Sequence, residues 1–274
     1  MKPSVSIVIV NYNTKDLIVD CVKSIKKDGP KDAEIIVVDN NSTDGSVEAI
    51  KKLKSIKTIF NDSNTGFAFA NNQGIKIAKG KYVFLLNSDT YLTKGALEDL
   101  MKFADEHDDA GVVGPRLLNM DKSLQYSCFR FPTITNAIKQ YWFGKKGLFD
   151  KYVPGLDKPY EVDAVVGAAF LMTPKALEKV GGLDERYFFY FEDLAYCKKV
   201  HKEGLKVYYY PKPKIVHYHG ASIKKVETED AGRWKRMIPS SKIYHGLFKH
   251  YLLTFIMLLG QKWSKLYEVF KKNS

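Results

Sequence analysis

A regular alternation of apolar runs and amphipathic stretches between residues 5 and 108 constrains the fold of this chain more than any other feature. Buried strands are predicted at VSIVIVNYN (5–13), AEIIVVDNNSTDGS (33–46, with the strand at its start), KTIFNDSN (57–64) and KYVFLLNSD (81–89). Apolar residues with helical spacing predict helices at 14–27, 47–54, 66–80 and 94–108. Strands that alternate with helices at this spacing predict βαβ units and a parallel sheet with right-handed crossovers.

Small polar residues cluster at the ends of three of these strands. The clusters are Asn11-Tyr12-Asn13, Asp39-Asn40-Asn41 and Asn87-Ser88-Asp89. Open α/β sheets bind ligands beyond the carboxyl ends of their strands, so the clusters mark the predicted site. No GxGxxG motif follows the first strand and the sequence has no GxxxxGK[ST] motif, which argues against dinucleotide dehydrogenases and P-loop NTPases.

Two of these clusters contain carboxylates with a possible chemical role. Asp39 can accept hydrogen bonds from the edge of a nucleobase, or it can cap the turn that follows it. Asp89 is well placed to bind a hard divalent cation, because Mg²⁺ and Mn²⁺ take oxygen ligands and share them with substrate phosphates. A solvated turn carboxylate is the alternative for Asp89.

The second half contains further candidates. Glu192 and Asp193 follow the aromatic run RYFFYF, and an apolar setting raises the pKa of a carboxylate toward values suited to a general base. The alternative is that the pair only complements the dipole at a helix start. His217 and His219 share one face of an extended stretch, where an imidazole can bind a metal, contact a phosphate or serve a structural role.

The composition narrows the class of partner. The formal net charge is +12, which attracts nucleic acid, phosphorylated substrates or an anionic membrane. No helix-turn-helix or ribonucleoprotein motif supports a nucleic-acid partner. Three scattered cysteines without a CxxC pair argue against a disulfide framework or a structural zinc site and suit a reducing compartment. The apolar run at 251–259 is shorter than the roughly 20 residues of a membrane-spanning helix.

The later segments carry weaker patterns. Residues 110–160 predict two short strands followed by loops and short helices, and 162–174 predicts a buried strand. A helix is predicted at 188–204, and a strand followed by turns at 205–222. The tail at 226–274 is helical, basic and amphipathic, so it can lie in a membrane interface, pack on the domain or form a dimer.

Taken in order, several of these motifs resemble those of family 2 glycosyltransferases, and most of all a subgroup of bacterial rhamnosyltransferases. The resemblance covers about residues 4–222. The motifs that carry it are VSIVIVNYN, IIVVDNNSTDGS, NTGFAFANNQGI, YVFLLNSDT, VGAAFLMTPKALEKVGGLDERYFFYFEDLAYCKKVHKEG and VHYHGAS.

The resemblance implies an α/β protein of the GT-A fold, with a Rossmann-like, mostly parallel central sheet flanked by helices. Residues 1–225 would form the glycosyltransferase domain, whose nucleotide-sugar half ends at about residue 115 and whose acceptor and catalytic-base half covers 116–225. Residues 226–274 would form a basic, amphipathic, helical C-terminal extension.

The resemblance also implies roles for individual residues. Those expected at the nucleotide sugar are Val10, Asn11, Asp39, Asn64, Gly66, Asn72, Asn87 and Ser88. Asp89 would hold Mg²⁺ or Mn²⁺, with His217 as a further metal or diphosphate ligand. Asp193 matches the catalytic base, with Glu192 beside it. The chain departs from the family at Asn87, where the metal motif has Asp, and at Ala195, where a second Asp is common.

The implied activity is a metal-dependent, inverting sugar transfer to a glycan or a lipid-linked acceptor, in the assembly of cell-surface polysaccharide. dTDP-rhamnose is the first expected donor, and UDP-sugars and GDP-sugars stay open. A lipid-linked acceptor suits a cytoplasmic protein that is peripheral on the inner face of the membrane. The alternatives are a non-catalytic protein that binds nucleotide sugars or glycans, and a nucleotidyltransferase, which would need a phosphate-binding loop that the sequence does not show after its first strand.

Overall fold

The four apolar runs of the first half form the parallel part of one large sheet in the computed structural model, which describes residues 2–218 and 230–272. The strands are β1 Val5–Asn11, β2 Glu34–Asp39, β3 Lys57–Phe60, β4 Tyr82–Asn87, β5 Thr90–Leu92, β6 Ala110–Leu118, β7 Leu124–Gln125, β8 Cys128–Phe129, β9 Tyr160–Glu161, β10 Ala164–Val165, β11 Ala169–Met172 and β12 Lys206–His217. The helices are α1 Lys15–Asp28, α2 Ser46–Lys51, α3 Phe67–Ile77, α4 Ala96–Glu106, α5 Ile134–Tyr141, α6 Pro174–Lys179, α7 Glu192–Lys202, α8 Asp230–His245 and α9 Leu247–Lys272.

The parallel part confirms the predicted βαβ architecture. Its strands lie in the order β3-β2-β1-β4, and every neighbouring pair is parallel. The register places Asn11 opposite Asp39, and Val10 opposite Asn87. The polar ends of β1, β2 and β4 therefore meet at one edge of the sheet, as the sequence predicts.

The rest of the sheet is mixed. β11 pairs antiparallel with β4 on one side and with β6 on the other, and β6 then pairs parallel with β12. The buried strand predicted at 162–174 is divided, because β10 pairs with β8 in a separate two-stranded sheet before the chain turns into β11. The outermost strand, β5, brings Thr90 opposite His217.

Alternate residues of the central strands face opposite sides of the sheet and supply two apolar layers. On β1, Ile7 and Ile9 pack with α1 and α4, whereas Val8 packs with residues of α3 and α7. All three side chains are fully buried. Complete burial of an aliphatic side chain contributes about 1.5–3 kcal/mol relative to exposure, so these layers hold the strand ends in fixed positions.

Helix α9 packs on the rest of the molecule. Leu253 and Ile256 of α9 form a small apolar cluster with Ala137 of α5. The indole nitrogen of Trp142 donates a hydrogen bond to the carbonyl of Ile256 at 3.1 Å. A Cβ atom at Gly260 would lie 2.7 Å from the Cβ of Tyr141, which shows how closely α9 approaches α5. None of the helices in the described ranges is long and apolar enough to cross a membrane.

Candidate functional site

A chain of buried hydrogen bonds joins the ends of the parallel strands. Asn11 donates to the Asp39 carboxylate at 2.7 Å and accepts from the hydroxyl of Thr14 at 2.6 Å. Thr14 lies 2.9 Å from the hydroxyl of Ser88. Although Thr14 directly precedes α1, its side chain makes no capping hydrogen bond. It links β1 to the β4–β5 turn instead, and so fixes the edge of the sheet.

Asp39 is nearly inaccessible in this arrangement, with 1 % of its surface exposed. One carboxylate oxygen accepts from Asn11, and the other accepts from the backbone N–H of Ser42 at 2.9 Å. Each carboxylate oxygen can accept more than one hydrogen bond. The carboxylate is therefore already oriented, and it retains acceptor capacity at the edge where the predicted nucleobase would lie.

A pocket opens at this same edge. Five of the residues predicted to bind a nucleotide sugar line it, and they are Val10, Asn64, Gly66, Asn87 and Ser88. Its other lining residues are Tyr12, Asn40, Phe67, Phe188, Phe189 and Arg236. The cavity volume is about 90 Å³, well below the roughly 300–1,000 Å³ of pockets for ligands of drug size.

Gly66 and Phe188 make a close contact in the pocket wall. Gly66 has a φ of +87°, and a Cβ atom there would lie 2.7 Å from the carbonyl oxygen of Phe188. That same oxygen accepts a hydrogen bond from the backbone N–H of Phe67 at 2.7 Å. Glycine is therefore required at this position, because the first turn of α3 packs directly against the aromatic segment that precedes α7.

The predicted metal ligands lie together beside the pocket. His217 Nε2 is 3.3 Å from Asp89 Oδ1 and 3.5 Å from Asn87 Nδ2. Asp89 and His217 are both buried, with 2 % and 5 % exposure. The side-chain oxygen of Asn87 is buried and has no hydrogen-bond partner among residues 2–218 and 230–272. The side chain of Asn87, the carboxylate of Asp89 and the imidazole of His217 thus lie close together.

Gln125 sets the tautomer of this histidine. Its amide nitrogen donates to Asn119 at 2.8 Å, which leaves its oxygen facing His217 Nδ1 at 2.7 Å. Nδ1 must then carry the proton, and the lone pair of Nε2 in the neutral ring faces the Asp89 carboxylate. A proton or a cation between these two acceptors stabilises the pair, and metal-binding histidines commonly donate their other N–H in this way. The residues therefore fit a divalent cation.

The candidate cation site has few strong protein ligands. Within the described part of the chain, no group of three or more His, Cys, Asp or Glu side chains converges. Mg²⁺ and Mn²⁺ bound to one or two carboxylates usually complete their coordination with water and substrate phosphates. His219, which the sequence placed on the same face as His217, lies outside the described residues.

The acidic pair begins α7 in an unusual backbone setting. Tyr190 and Phe191 both have left-handed φ angles, +72° and +71°. Non-glycine residues in this region cost of the order of 1–3 kcal/mol each and are found most often at functional sites. The turn aims Asp193 toward Gly167, whose backbone N–H donates to its carboxylate at 3.1 Å.

The two carboxyls of the pair have different environments. Burial raises the pKa of Asp193, whereas the backbone N–H groups of Gly167 and Leu194 oppose that rise. Burial and the charge of Asp193 raise the pKa of Glu192 to about 8. One oxygen of Glu192 is buried without a hydrogen-bond partner among the described residues. The two N–H groups therefore favour the ionised form of Asp193, whereas burial and the neighbouring charge favour the neutral form of Glu192.

Some predicted residues lie away from the pocket lining. Asn11 and Asp39 lie behind it in the hydrogen-bonded edge. Asn72 exchanges hydrogen bonds of 2.8 Å with the backbone of Leu183, and so ties α3 to the loop after α6. The sequence interpretation did not include Gln125 or Arg236, since the pattern around neither residue marks a site.

Comparison with known proteins places this geometry in a family. The family model described as Glycosyl transferase family 2 matches residues 6–179. The chain is 33 % identical over 127 residues to Glycosyltransferase GlyG of Streptococcus pneumoniae, covering 45 % of this chain and 42 % of that protein. It is 24 % identical over 234 residues to the N-acetylglucosaminyl-diphospho-decaprenol L-rhamnosyltransferase of Mycobacterium tuberculosis, covering 79 % and 76 %.

A solved structure supports the fold. The mannosyltransferase PcManGT from Pyrobaculum calidifontis, in complex with GDP-Man and Mn²⁺, has a TM-score of 0.62 at 17 % identity. The match covers 98 % of this chain and 76 % of that chain. The fold is thus the GT-A fold that the sequence motifs implied. Since the family model spans well over half of its length, this chain belongs to glycosyl transferase family 2.

Proposed function

We propose that this glycosyltransferase inverts the anomeric centre as it moves a sugar from a nucleotide sugar to an acceptor hydroxyl, with Mg²⁺ or Mn²⁺ bound. The observation that carries the proposal is the position of Asn87 and Ser88. Both line the pocket, and the candidate cation site formed by Asn87, Asp89 and His217 adjoins it. A diphosphate in the pocket can therefore reach that site.

Asp193 supplies the base in this proposal. Its carboxylate is held by two backbone N–H groups, which orient it and favour its ionised form, whereas burial and the charge of Asp193 raise the pKa of Glu192 to about 8. It takes the proton of the acceptor hydroxyl as that oxygen attacks the anomeric carbon from the face opposite the leaving group. General base catalysis of this kind typically contributes about 10²–10⁴-fold in rate. A bound divalent cation would supply charge stabilisation for the departing diphosphate.

The donor pocket must widen to accept its ligand. The cavity of about 90 Å³ is too small for a nucleotide sugar. Phe188, Phe189 and Arg236 form the wall that belongs to later parts of the chain, and we assign the widening to rotation of their side chains, since hydrogen bonds hold the backbone carbonyls of Phe188 and Phe189. Asp39 and Asn11 then orient the nucleobase of the donor, and Asn72 holds the loop that leads to this wall.

dTDP-rhamnose is the donor we propose first. Its support is the similarity, over 79 % of this chain, to a protein named as a rhamnosyltransferase. UDP-sugars and GDP-sugars are the competing donors, and the solved relative that covers 98 % of this chain binds GDP-Man. The named relative is a rhamnosyltransferase of N-acetylglucosaminyl-diphospho-decaprenol, so we propose a lipid-linked or glycan acceptor of cell-surface polysaccharide.

The outer face of α9 supports a membrane location. Its inner face packs on α5, while a stripe of large apolar side chains points away from the molecule. The stripe consists of Phe248, Tyr251, Phe255, Leu258 and Leu259. By sequence, α9 also carries five lysines and a single glutamate. An apolar stripe with a cationic surplus suits the interface of an anionic membrane, and we propose that the chain is peripheral on the cytoplasmic side.

We also propose that the three parts of the chain expected from the sequence have separate roles. Residues 1–115 hold the donor, 116–225 supply the base and the acceptor side, and 226–274 form the extension. β11 joins the first two parts into one sheet, because it lies between β4 and β6. The cation site is shared between them, since Asp89 and His217 come from different parts.

A thermal-shift panel tests the proposed function. Thermal unfolding is measured with dTDP-rhamnose and with representative UDP-sugars and GDP-sugars, each with Mg²⁺, Mn²⁺ or EDTA. A ligand that binds only the folded state raises the melting temperature, so the donor class should stand out. The stabilising donor is then assayed for sugar transfer. Stabilisation without any turnover would favour the non-catalytic alternative, and no stabilisation by any nucleotide sugar would overturn the proposal.

A further inference from the structure

Helix α8 places a cation over the candidate donor pocket. Arg236 lines the pocket with Asn87 and Ser88, although it follows them by about 150 residues in the chain. Among the described residues of the lining, Arg236 carries the only formal charge. The other described residues of the lining present amides, hydroxyls and aromatic rings, and none of them carries a charge that would compensate the guanidinium.

The arrangement of α8 shows that this position is held. Arg236, Ser240 and Tyr244 are spaced four residues apart and so share one face of the helix. Ser240 is buried and donates a hydrogen bond to the carbonyl of Phe189 at 2.9 Å. Tyr244 packs on Phe191, with 5.2 Å between the ring centroids. Two successive turns of α8 are therefore fixed to the segment that forms the pocket wall.

Lys198 adds a third attachment, because its ammonium lies 5.2 Å from the ring centroid of Tyr244.

The ion pairs formed between described residues do not include Arg236. Arg236 is also half-buried, so water solvates its guanidinium only in part. Partial burial of a charge is unfavourable unless a counter-charge is present. Since residues 2–218 and 230–272 supply no ion-pair partner, we expect the counter-charge on the ligand.

We propose that Arg236 binds the diphosphate of the donor, and that the C-terminal extension is thereby part of the donor site. This inference rests on the proposed function. The planar guanidinium presents paired N–H donors that match phosphate oxygens. It lines the pocket from α8, whereas Asn87 and Ser88 line it from the end of β4 and the turn that follows. The diphosphate is then held between α8 and the β4–β5 turn.

The consequence is a coupling between donor binding and the aromatic wall. Ser240 and Tyr244 tie α8 to Phe189 and Phe191, directly before Glu192 and Asp193. A diphosphate that holds Arg236 also holds this segment in place. Arg236 is thus a substrate-binding residue, and Ser240 is a positioning residue that acts through it.

The test compares nucleoside diphosphates with their nucleosides in EDTA. Dissociation constants of dTDP, UDP and GDP, and of thymidine, uridine and guanosine, are measured by calorimetry for the wild type, Arg236→Gln and Arg236→Lys. The matched control is Lys235→Gln, which removes the same charge from the exposed neighbour on α8. Loss of charge-assisted hydrogen bonds should weaken diphosphate binding by Arg236→Gln about 10- to 100-fold. Arg236→Lys should lose less, while Lys235→Gln and all nucleoside affinities should stay unchanged.

The other outcomes are distinct. Unchanged diphosphate affinity in Arg236→Gln would overturn the inference while leaving the proposed function standing. Equal weakening for diphosphate and nucleoside would also overturn it, because the loss would then come from pocket shape. A wild type that binds none of the three diphosphates in EDTA would overturn the inference, and one that also binds none of them with Mg²⁺ or Mn²⁺ would overturn the proposed function as well.

Discussion

Gln125 and His217 are joined by a hydrogen bond of 2.7 Å between the amide oxygen and Nδ1, across 92 residues of sequence. The bond fixes which ring nitrogen faces Asp89, because the amide nitrogen of Gln125 is engaged by Asn119. The short strand β7, which carries Gln125, pairs with β6 next to β12. The candidate cation site thus depends on a strand of two residues that contributes no metal ligand itself.

Gln125→Leu should therefore weaken binding of Mn²⁺ without removing a ligand. Loss of a partner that orients a metal-binding histidine typically costs about 10–100-fold in metal affinity. The free Mn²⁺ signal in electron paramagnetic resonance, titrated in the presence of the preferred nucleotide, measures the effect. Asp89→Ala is the reference for loss of a ligand, and its effect should be larger. Wild-type Mn²⁺ affinity in Gln125→Leu would show that His217 needs no such orientation.

The catalytic assignment predicts a separation between binding and turnover. Asp193→Asn removes the proton acceptor, so transfer should fall by about 10²–10⁴-fold. Donor affinity should change little, because the carboxylate is bonded to the backbone of Gly167 and Leu194 and does not line the pocket. The matched variant is Glu192→Gln, which keeps a neutral side chain of similar shape and should retain most of the activity. If Glu192→Gln instead lost transfer while Asp193→Asn retained it, Glu192 would be the base.

The sequence predicted the edge of the sheet but not the wall of the pocket. Periodicity placed Asp39 and Asn87 at the ends of parallel strands, and parallel strands present those ends at a common edge. Arg236 and Gln125 reach the site through helix docking and a two-residue strand, whose positions depend on packing between distant segments. No local pattern encodes such contacts.

The backbone at the start of α7 was also beyond sequence reasoning. Aromatic residues do not favour a left-handed φ, so nothing in the run from Tyr187 to Phe191 predicts the two left-handed residues found there. Surrounding contacts impose the conformation, including those of Phe191 with Tyr244. The predicted helix at 188–204 accordingly begins later, at Glu192.

Stability should depend on pH through Glu192. Burial raises the pKa of its carboxyl to about 8, above the ordinary value of 4.5 that applies to the unfolded chain. Between these values the folded state binds more protons than the unfolded state, so the free energy of unfolding falls as pH rises and levels off above pH 8. Glu192→Gln cannot ionise and should lack this fall.

Urea unfolding at about pH 5, 7 and 9 measures the free energy of unfolding of Glu192→Gln and of the wild type. The difference between the two should grow with pH, with the variant becoming relatively more stable. The exposed Glu98 of α4 offers the control, since Glu98→Gln should show no such trend. A difference that stays constant across this range would mean that Glu192 ionises at its ordinary pKa.

The contact between Gly66 and Phe188 predicts an unequal cost for two glycine substitutions. Gly66→Ala places a Cβ atom 2.7 Å from a carbonyl oxygen at a φ of +87°, so it should destabilise the protein by roughly 3 kcal/mol. Gly95 has a φ of +76°, but a Cβ atom there would meet no other atom within 4 Å, so Gly95→Ala should cost about 1 kcal/mol. Urea unfolding measures the free energy of unfolding of both variants. Equal destabilisation would show that the segment at Phe188 moves away from the new methyl group at little cost.

The outer face of α9 predicts binding to anionic vesicles. Phe248 and Phe255 are 83 % and 60 % exposed and lie on the stripe opposite Leu253, which packs inward. The double variant Phe248→Ser and Phe255→Ser should lose most co-sedimentation with vesicles that contain phosphatidylglycerol, because two large apolar side chains no longer enter the interface. Met120→Ser, at an exposed apolar residue of the β6–β7 turn, should bind like the wild type. If the double variant still sediments with vesicles but the wild type alone forms dimers in analytical ultracentrifugation, the stripe is an interface between two copies of the chain.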